Sequence, residues 1–254
     1  MWGDLRLLNT SANALFAMAL ALVVYAAGTA FAHSQVFSLR AIRVQGELSH
    51  VNRGQIVEAL QGRVSGTFFT VDLEAIRSMF EGIPWVRRAE VRRHWPDGLE
   101  VKLEEQVALA RWGQDKEGRL VNVHGELFAG QTELDLPLLG GPAGSEREVT
   151  RRYAQFHDLL APLALDLRTV TLSQRRSWQL KLSNGLTVQL GRDNDKDPTQ
   201  ERLARFVDVY PRTIGRLARR LDYADLRYPN GFALRVPEFT PPETQTARQG
   251  LNKQ

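Results

Sequence analysis

The chain has no cysteine among its 254 residues. That removes zinc ribbons, thiol nucleophiles, iron–sulfur centres and disulfide frameworks together, and an oxidising compartment would leave the chain unharmed because nothing can mispair. Histidine is sparse. The five residues, at positions 33, 50, 94, 124 and 157, stand singly, without a His-x-x-x-His pair or an acid at ligand spacing. Asp193, Asp195 and Asp197 resemble the start of a calcium loop, but its sixth position is Pro198 rather than Gly and its twelfth is Ala204 rather than Glu. The run reads instead as a solvated loop capping the next helix. There is no Gly-x-Ser-x-Gly elbow, and Gly140-Gly141-Pro142-Ala143-Gly144 lacks the Lys and Ser or Thr of a phosphate-cradling loop. A one-sided charge is lacking too. The 33 Lys and Arg oppose 29 Asp and Glu, 33 − 29 = +4, with the cations spread along the chain as surface ion-pair partners rather than gathered into a nucleic-acid face. The expectation is no catalysis, no cofactor, no metal, no nucleic acid and no small-molecule substrate.

One long hydrophobic run is present. Between Arg6 and Arg40 there are 33 consecutive residues without Lys, Arg, Asp or Glu, and Ala12 to Ala32 is apolar apart from Asn13 and Thr29. As a helix at ~1.5 Å per residue those residues span about 31 Å, the thickness of a hydrocarbon core. The competing reading is a cleaved signal peptide, with Ala30-Phe31-Ala32 as the small-x-small site. Against it, the apolar run from Leu15 to Ala32 exceeds the roughly 7–15 residues of a signal core. Arg6 on one side and Arg40 and Arg43 on the other do not set the orientation by charge. Export of the large body behind a short tail is the simplest arrangement, which gives a cytoplasmic tail over 1–11, a transmembrane helix over 12–32 and a periplasmic body.

After the anchor, Phe37 to Gly46 alternates apolar and polar, as a half-buried strand does. Asn52 and Gln55 form a capping-box pattern before a helix with Ile56, Val57 and Leu60 as its stripe. Asp72 caps a second helix carrying Leu73, Ile76, Met79 and Phe80 on one face, ended by Gly82 and Pro84. Trp85 to Trp95 reads as a strand with both tryptophans as core aromatics. Pro96-Asp97-Gly98 turns the chain, and Leu99, Val101 and Leu103 face inward on the return.

From Ala110 onward the pattern becomes short strands: two around Gly125, one near Leu136 to Pro142, then a helix over Glu146 to Leu160 with Val149, Tyr153, Phe156 and Leu160 inward. Trp178, Leu180 and Leu182 alternate into Asn184-Gly185, which predicts a type I′ hairpin turn returning through Leu186, Val188 and Leu190. A helix over Pro198 to Tyr210 follows, with Leu203, Phe206, Val207 and Tyr210 buried. A last pair of strands runs from Tyr223 to Tyr228 and from Phe232 to Val236 around Pro229-Asn230-Gly231.

The order strand, helix, helix, strand, strand, with Gly66-Thr67-Phe68-Phe69, Ile83-Pro84-Trp85-Val86, Val91 to Pro96 and Glu104-Glu105, resembles a POTRA domain over 37–106. A single POTRA domain directly after one anchor is similar to the FtsQ/DivIB family of bacterial cell-division proteins. Arg175-Arg176-Ser177-Trp178, Leu190-Gly191-Arg192, Leu203 to Val207 with Tyr210-Pro211, and Asp225-Leu226-Arg227-Tyr228 with Gly231 resemble the family's carboxy-terminal β domain, here 107–236. The fold class is therefore α+β: one N-terminal transmembrane helix, a POTRA domain, then a mixed β-sheet domain with flanking helices.

The resemblance implies a non-catalytic inner-membrane scaffold at the division septum, recruited to other divisome proteins partly through the POTRA domain and binding the small bitopic proteins FtsB and FtsL through its β domain. It also implies partner contacts at Tyr228 and Gly231 and a carboxylate-binding role for Arg175. Leu226, Arg227, Asn230 and Phe232 complete the candidate surface. Val236 stands where the family often has Trp, and Asn230 where it often has Ser. The physical mode is strand addition, in which the unpaired N–H and C=O groups of the last strand accept an extended partner. Two rivals are a POTRA-bearing assembly or secretion factor, which would place a large barrel after its POTRA domains, and an anchored periplasmic enzyme with an unrecognised site. Residues 237–254, rich in Gln, Thr and Asn, read as a disordered tail.

Overall fold

The uncharged run folds as helix α1, Leu5–Ala32, whose Asn9–Ala32 stretch is long and apolar enough to cross a membrane by length and composition and is not buried against the rest of the chain. The computed structural model describes residues 5–34, 37–113, 118–213, 221–228 and 231–235. Residues 237–254, expected to be disordered, and Asn230 and Val236 lie outside these. The chain divides into two compact units, residues 1–106 and 107–254.

In the first unit, β1 (Ala41–Gln45), α2 (Arg53–Leu60), α3 (Leu73–Glu81), β2 (Val86–His94) and β3 (Gly98–Glu105) follow α1. Their sheet order is β1-β3-β2, with β1 parallel to β3 and β2 antiparallel to it. Both helix starts form as their sequences require. Asn52 and Gln55 make a reciprocal capping box, and the Asp72 carboxylate accepts the N–H groups of Glu74 and Ala75. The core gathers Ile76, Phe80, Ile83, Trp85, Leu99, Val101 and Leu103. Glu105, at the end of β3, is spent on structure: its carboxylate accepts backbone N–H groups from Ser49 at 3.0 Å and Val51 at 2.8 Å, and from His50. Burial pushes this carboxyl up, and those N–H bonds together outweigh it and leave the group below its ordinary value.

Three expectations fail here. Trp95 is 76% exposed while Trp85 is 8% exposed; β2 ends at His94, so Trp95 belongs to the hairpin tip, where there is no facing layer to bury it. The first strand begins at Ala41 rather than Phe37, because Phe37 turns into a ring cluster with Phe31 and Phe69 at centroid distances of 4.9 and 5.0 Å. The α2 stripe is shallow, with no buried residue and Val57 exposed.

In the second unit, β4 (Ala108–Trp112), β5 (Arg119–Asn122), β6 (Leu127–Ala129), β7 (Leu138–Gly140), β8 (Leu167–Leu172), β9 (Ser177–Leu182), β10 (Thr187–Arg192), β11 (Tyr223–Asp225) and β12 (Ala233–Arg235) form one sheet, with α4 (Glu146–Leu160) and α5 (Thr199–Val209) between them in the chain. The order is β12-β11-β10-β9-β8-β7-β4-β5-β6. Helices α4 and α5 pack on each other and over β8 and β10, burying Phe156, Leu160, Leu203 and Phe206 against Trp178, Leu180 and Val188. The β9–β10 turn is not type I′. Gly185 has φ +88°, but Asn184 is not among the residues with positive φ. The hydrogen bonds Gly185 N–H to Leu182 O and Leu182 N–H to Leu186 O close a three-residue loop in which only the glycine needs the left-handed conformation.

Candidate functional site

The candidate site is the β12 end of this sheet. Strand β11 runs parallel to β10, pairing Tyr223 with Thr187 and Asp225 with Gln189, and it stops at Asp225 instead of continuing to Tyr228. The stop has a local cause. The N–H of Arg227 and its guanidinium both turn back onto Asp225, with Nε at 2.8 Å from Oδ1 and Nη2 at 2.6 Å from Oδ2. Asp225 is 5% exposed, and the Arg227 guanidinium bonded to it holds its carboxyl below the ordinary range while raising the Arg227 pKa.

Gly191 makes that pairing sterically possible. It sits at a register shift in the β9–β10 ladder with φ +82°, and a Cβ placed there would lie 2.8 Å from Cγ of Arg227 and 3.3 Å from Nη1 of Arg202. From the other side Arg202, 4% exposed, donates through Nη1 to the carbonyls of Leu190 and Arg192 at 2.5 and 2.9 Å. Through Nε it donates to Asp197 at 2.7 Å. Asp197 is held below its ordinary pKa chiefly by that Arg202 bond, with Arg205 as a second partner. Asp193 accepts the Thr199 N–H at 2.8 Å and pairs with Arg152, so the acidic run caps and clamps α5 as its sequence suggests. Among the described residues no group of three or more His, Cys, Asp or Glu could hold a metal ion.

Strand β12 hangs on this frame. It pairs antiparallel with β11, Ala224 opposite Leu234, and ends the sheet on that side, so among the described residues no strand lies beside its outer row of backbone groups. Phe232 turns inward against Phe206, centroids 5.8 Å apart at 80°, which pins the start of the strand to α5. Ala233, Leu234 and Arg235 are exposed, with the Arg235 guanidinium 5.6 Å over the Tyr223 ring.

The expected residues separate into groups. Tyr228 is 55% exposed, Gly231 is exposed with open space around it, and Arg227 leaves half of its surface free beside its Asp225 bond. Arg175 lies in the β8–β9 turn, exposed, and among the described residues makes no hydrogen bond or ion pair; its neighbour Arg176 holds Glu148 at 2.6 Å. Because Ser177 pairs with Arg192 and Arg227 overlies Gly191, Arg175 and Tyr228 share one end of the sheet, two to three strand spacings apart, about 10–14 Å. Leu226 is fully buried and its N–H bonds the Gln189 carbonyl at 2.9 Å; it seats the segment and does not face outward. Sequence reasoning missed Gly191, Arg202 and Asp225 as the frame. The signals were a glycine inside an alternating strand and an acid–base pair at i, i+2 beside it.

Comparison with known proteins gives two family matches: "Cell division protein FtsQ/DivIB, C-terminal" over residues 110–227 and "POTRA domain, FtsQ-type" over residues 37–106. The cell division protein FtsQ of Burkholderia pseudomallei (strain K96243) is 47% identical over 240 residues, 93% of this chain and 94% of the relative. That of Nitrosospira multiformis is 40% identical over 92% of this chain and 99% of the relative. That of Escherichia coli (strain K12) is 38% identical over 72% and 67%.

Proposed function

The chain belongs to the FtsQ/DivIB family of cell-division proteins, and from that premise we propose that it is a non-catalytic scaffold of the division complex that binds FtsB and FtsL through the β12 edge. Its residues 1–11 are a cytoplasmic tail, 12–32 the membrane span, 37–106 the recruiting POTRA domain and 107–236 the partner-binding domain. The body is periplasmic and gathers at the septum.

The observation that carries this reading is the β12 edge itself: a short, exposed terminal strand whose rear is fixed by Phe232 on Phe206 and whose approach is fixed by Arg227 on Asp225. A rigid edge with free backbone groups binds an extended segment with little ordering cost on its own side. Arg175 and Tyr228, at one end of the sheet, supply a carboxylate fork and an aromatic surface to select that segment.

The test is in-cell photo-crosslinking from an unnatural residue at position 228, with the adduct identified by mass spectrometry. A small bitopic coiled-coil protein in the adduct supports the scaffold. An outer-membrane barrel, a soluble substrate or no adduct contradicts it.

A further inference from the structure

Four segments of the first unit meet at the last turn of α1. Thr67 Oγ1 donates to the Ala32 carbonyl at 2.6 Å, so the loop before α3 is bonded directly to the helix end. That loop is also tied to the chain leaving α1, through a bridge between Ser38 and Thr67, the Phe68 N–H to Phe37 O bond of 2.8 Å and the Phe31–Phe37–Phe69 ring contacts. The β2–β3 hairpin tip joins them. Arg93 Nε donates to Phe68 O at 2.7 Å and its Nη2 to Val71 O at 3.1 Å, while the Arg40 N–H donates to Asp97 O at 2.9 Å.

The surface of this end has a composition unlike a water-facing one. Trp95 is 76% exposed, Phe31 60% and Phe69 46%. Arg43 lines the same hollow as Trp95, Arg40 lies beside Asp97 and Arg93 is bonded to Phe68, with Asp72, Asp97 and Glu74, itself paired with Arg77 at 2.7 Å, as acids at the same end. Asp72 is committed to capping α3, and Asp97 lies 3.9 Å from Arg40. Ala32 closes the apolar stretch of α1, so on the reading that α1 spans the membrane its carbonyl marks the hydrocarbon boundary, and the Thr67 bond places the loop at that depth. Large apolar side chains in water are unfavourable and mark contact surfaces. Tryptophan with an apolar body and an N–H, ringed by arginines that fork onto phosphate, is the composition of a lipid–water interface.

We propose that this end of the POTRA domain seats on the phospholipid surface of the membrane that α1 crosses, with Trp95 and Phe69 at headgroup depth and Arg40 and Arg43 on the phosphates. The first unit thus has two membrane attachments, a spanning helix and an interfacial face. This fixes the tilt of its sheet relative to the bilayer, which a single helix followed by a free linker would not. The proposal rests on the anchoring role of α1.

The absence of cysteine allows a direct test. Single-cysteine variants of the full chain, Val23→Cys, Phe69→Cys, Trp95→Cys and Glu47→Cys, are nitroxide-labelled and reconstituted in nanodiscs of phosphatidylethanolamine and phosphatidylglycerol. Accessibility to oxygen and to a water-soluble nickel chelate is then read by electron paramagnetic resonance. Glu47 lies two residues past Gln45, the far end of β1, which is itself about 13 Å from Ala41 at strand rise. The expected oxygen-to-nickel ratio is highest at 23 and several-fold greater at 69 and 95 than at 47. A ratio at 95 equal to that at 47, with 23 in lipid, overturns the seating and leaves the anchor intact. Water-like accessibility at 23 overturns the anchor and the seating together.

Discussion

Gly191 lies beneath the side chain of Arg227: a Cβ at position 191 would come within 2.8 Å of Arg227 Cγ. Three stretches, Leu190-Gly191-Arg192, the start of α5 and the later Asp225-Leu226-Arg227, thus converge on one bulge, with Arg202 bonded to the carbonyls on either side of the glycine and Arg227 crossing its face.

Gly191→Ala is therefore expected to cost on two counts, a left-handed φ of +82° and a contact on a side-chain stem that cannot swing clear without releasing Asp225. The first count alone is about 1–2 kcal/mol, and the displaced ion pair adds to it. Thermal unfolding followed by circular dichroism should show the midpoint fall, and partner affinity should fall with it, because β12 hangs on the same pair.

Removing the Arg202 side chain leaves the Leu190 and Arg192 carbonyls without their donor and Asp197 with Arg205 as its remaining partner. Arg202→Ala is expected to lose about 1–3 kcal/mol, the range for leaving buried acceptors unsatisfied. Arg202→Lys should recover only part, since an ammonium lacks the planar fork that reaches Leu190 O and Asp197 together. Urea midpoints of the three chains decide this.

Exchanging each tryptophan of the first unit separates core from surface. Trp85→Ala should cost about 3–5 kcal/mol, with loss of the stack on His50 at 3.8 Å. Trp95→Ala should lie within about 0.5 kcal/mol. A large loss at 95 and a small one at 85 would reverse the burial assignment.

The acid limb of stability follows from Asp225, Asp197 and Glu105. Their folded pKa values lie below the ordinary ones of about 4, so the folded state favours their anions and their contribution is complete at neutral pH. It declines once pH drops below about 4 and is gone beneath the folded values, where both states are protonated. Melting temperature against pH should be flat from these groups above about 5 and fall below it, and Glu105→Gln should flatten part of that fall.

Where an element is governed by its own periodicity or caps, its sequence is legible. Asn52 with Gln55, Asp72 before α3, the inward Leu99, Val101 and Leu103, and the α4 and α5 stripes all lie in the structure where their spacing puts them. The departures come from what lies beside an element. Trp95 is aromatic at strand parity, yet it sits past the last pair of its ladder. Asn184-Gly185 fits a two-residue turn until the register of β9 and β10 demands three. Leu226 looks like its exposed neighbours until β11 is known to stop at Asp225 and tuck the next residue under β10. Position within the nine-stranded order, and with it the identity of the edge strand, is set by the parallel pairings β4–β7, β7–β8 and β10–β11, which no local pattern encodes.

The measurement closest to the central claim is amide hydrogen–deuterium exchange on the full chain, alone and with FtsB bound. Exchange should slow several-fold in the complex at those amides among Ala233, Leu234 and Arg235 whose N–H groups point away from β11, with the central β9 amides from Trp178 to Leu182 unchanged, because a strand added at β12 satisfies only the outer row. Protection confined to another surface, with β12 exchanging as fast as in the free protein, would contradict the edge-strand account.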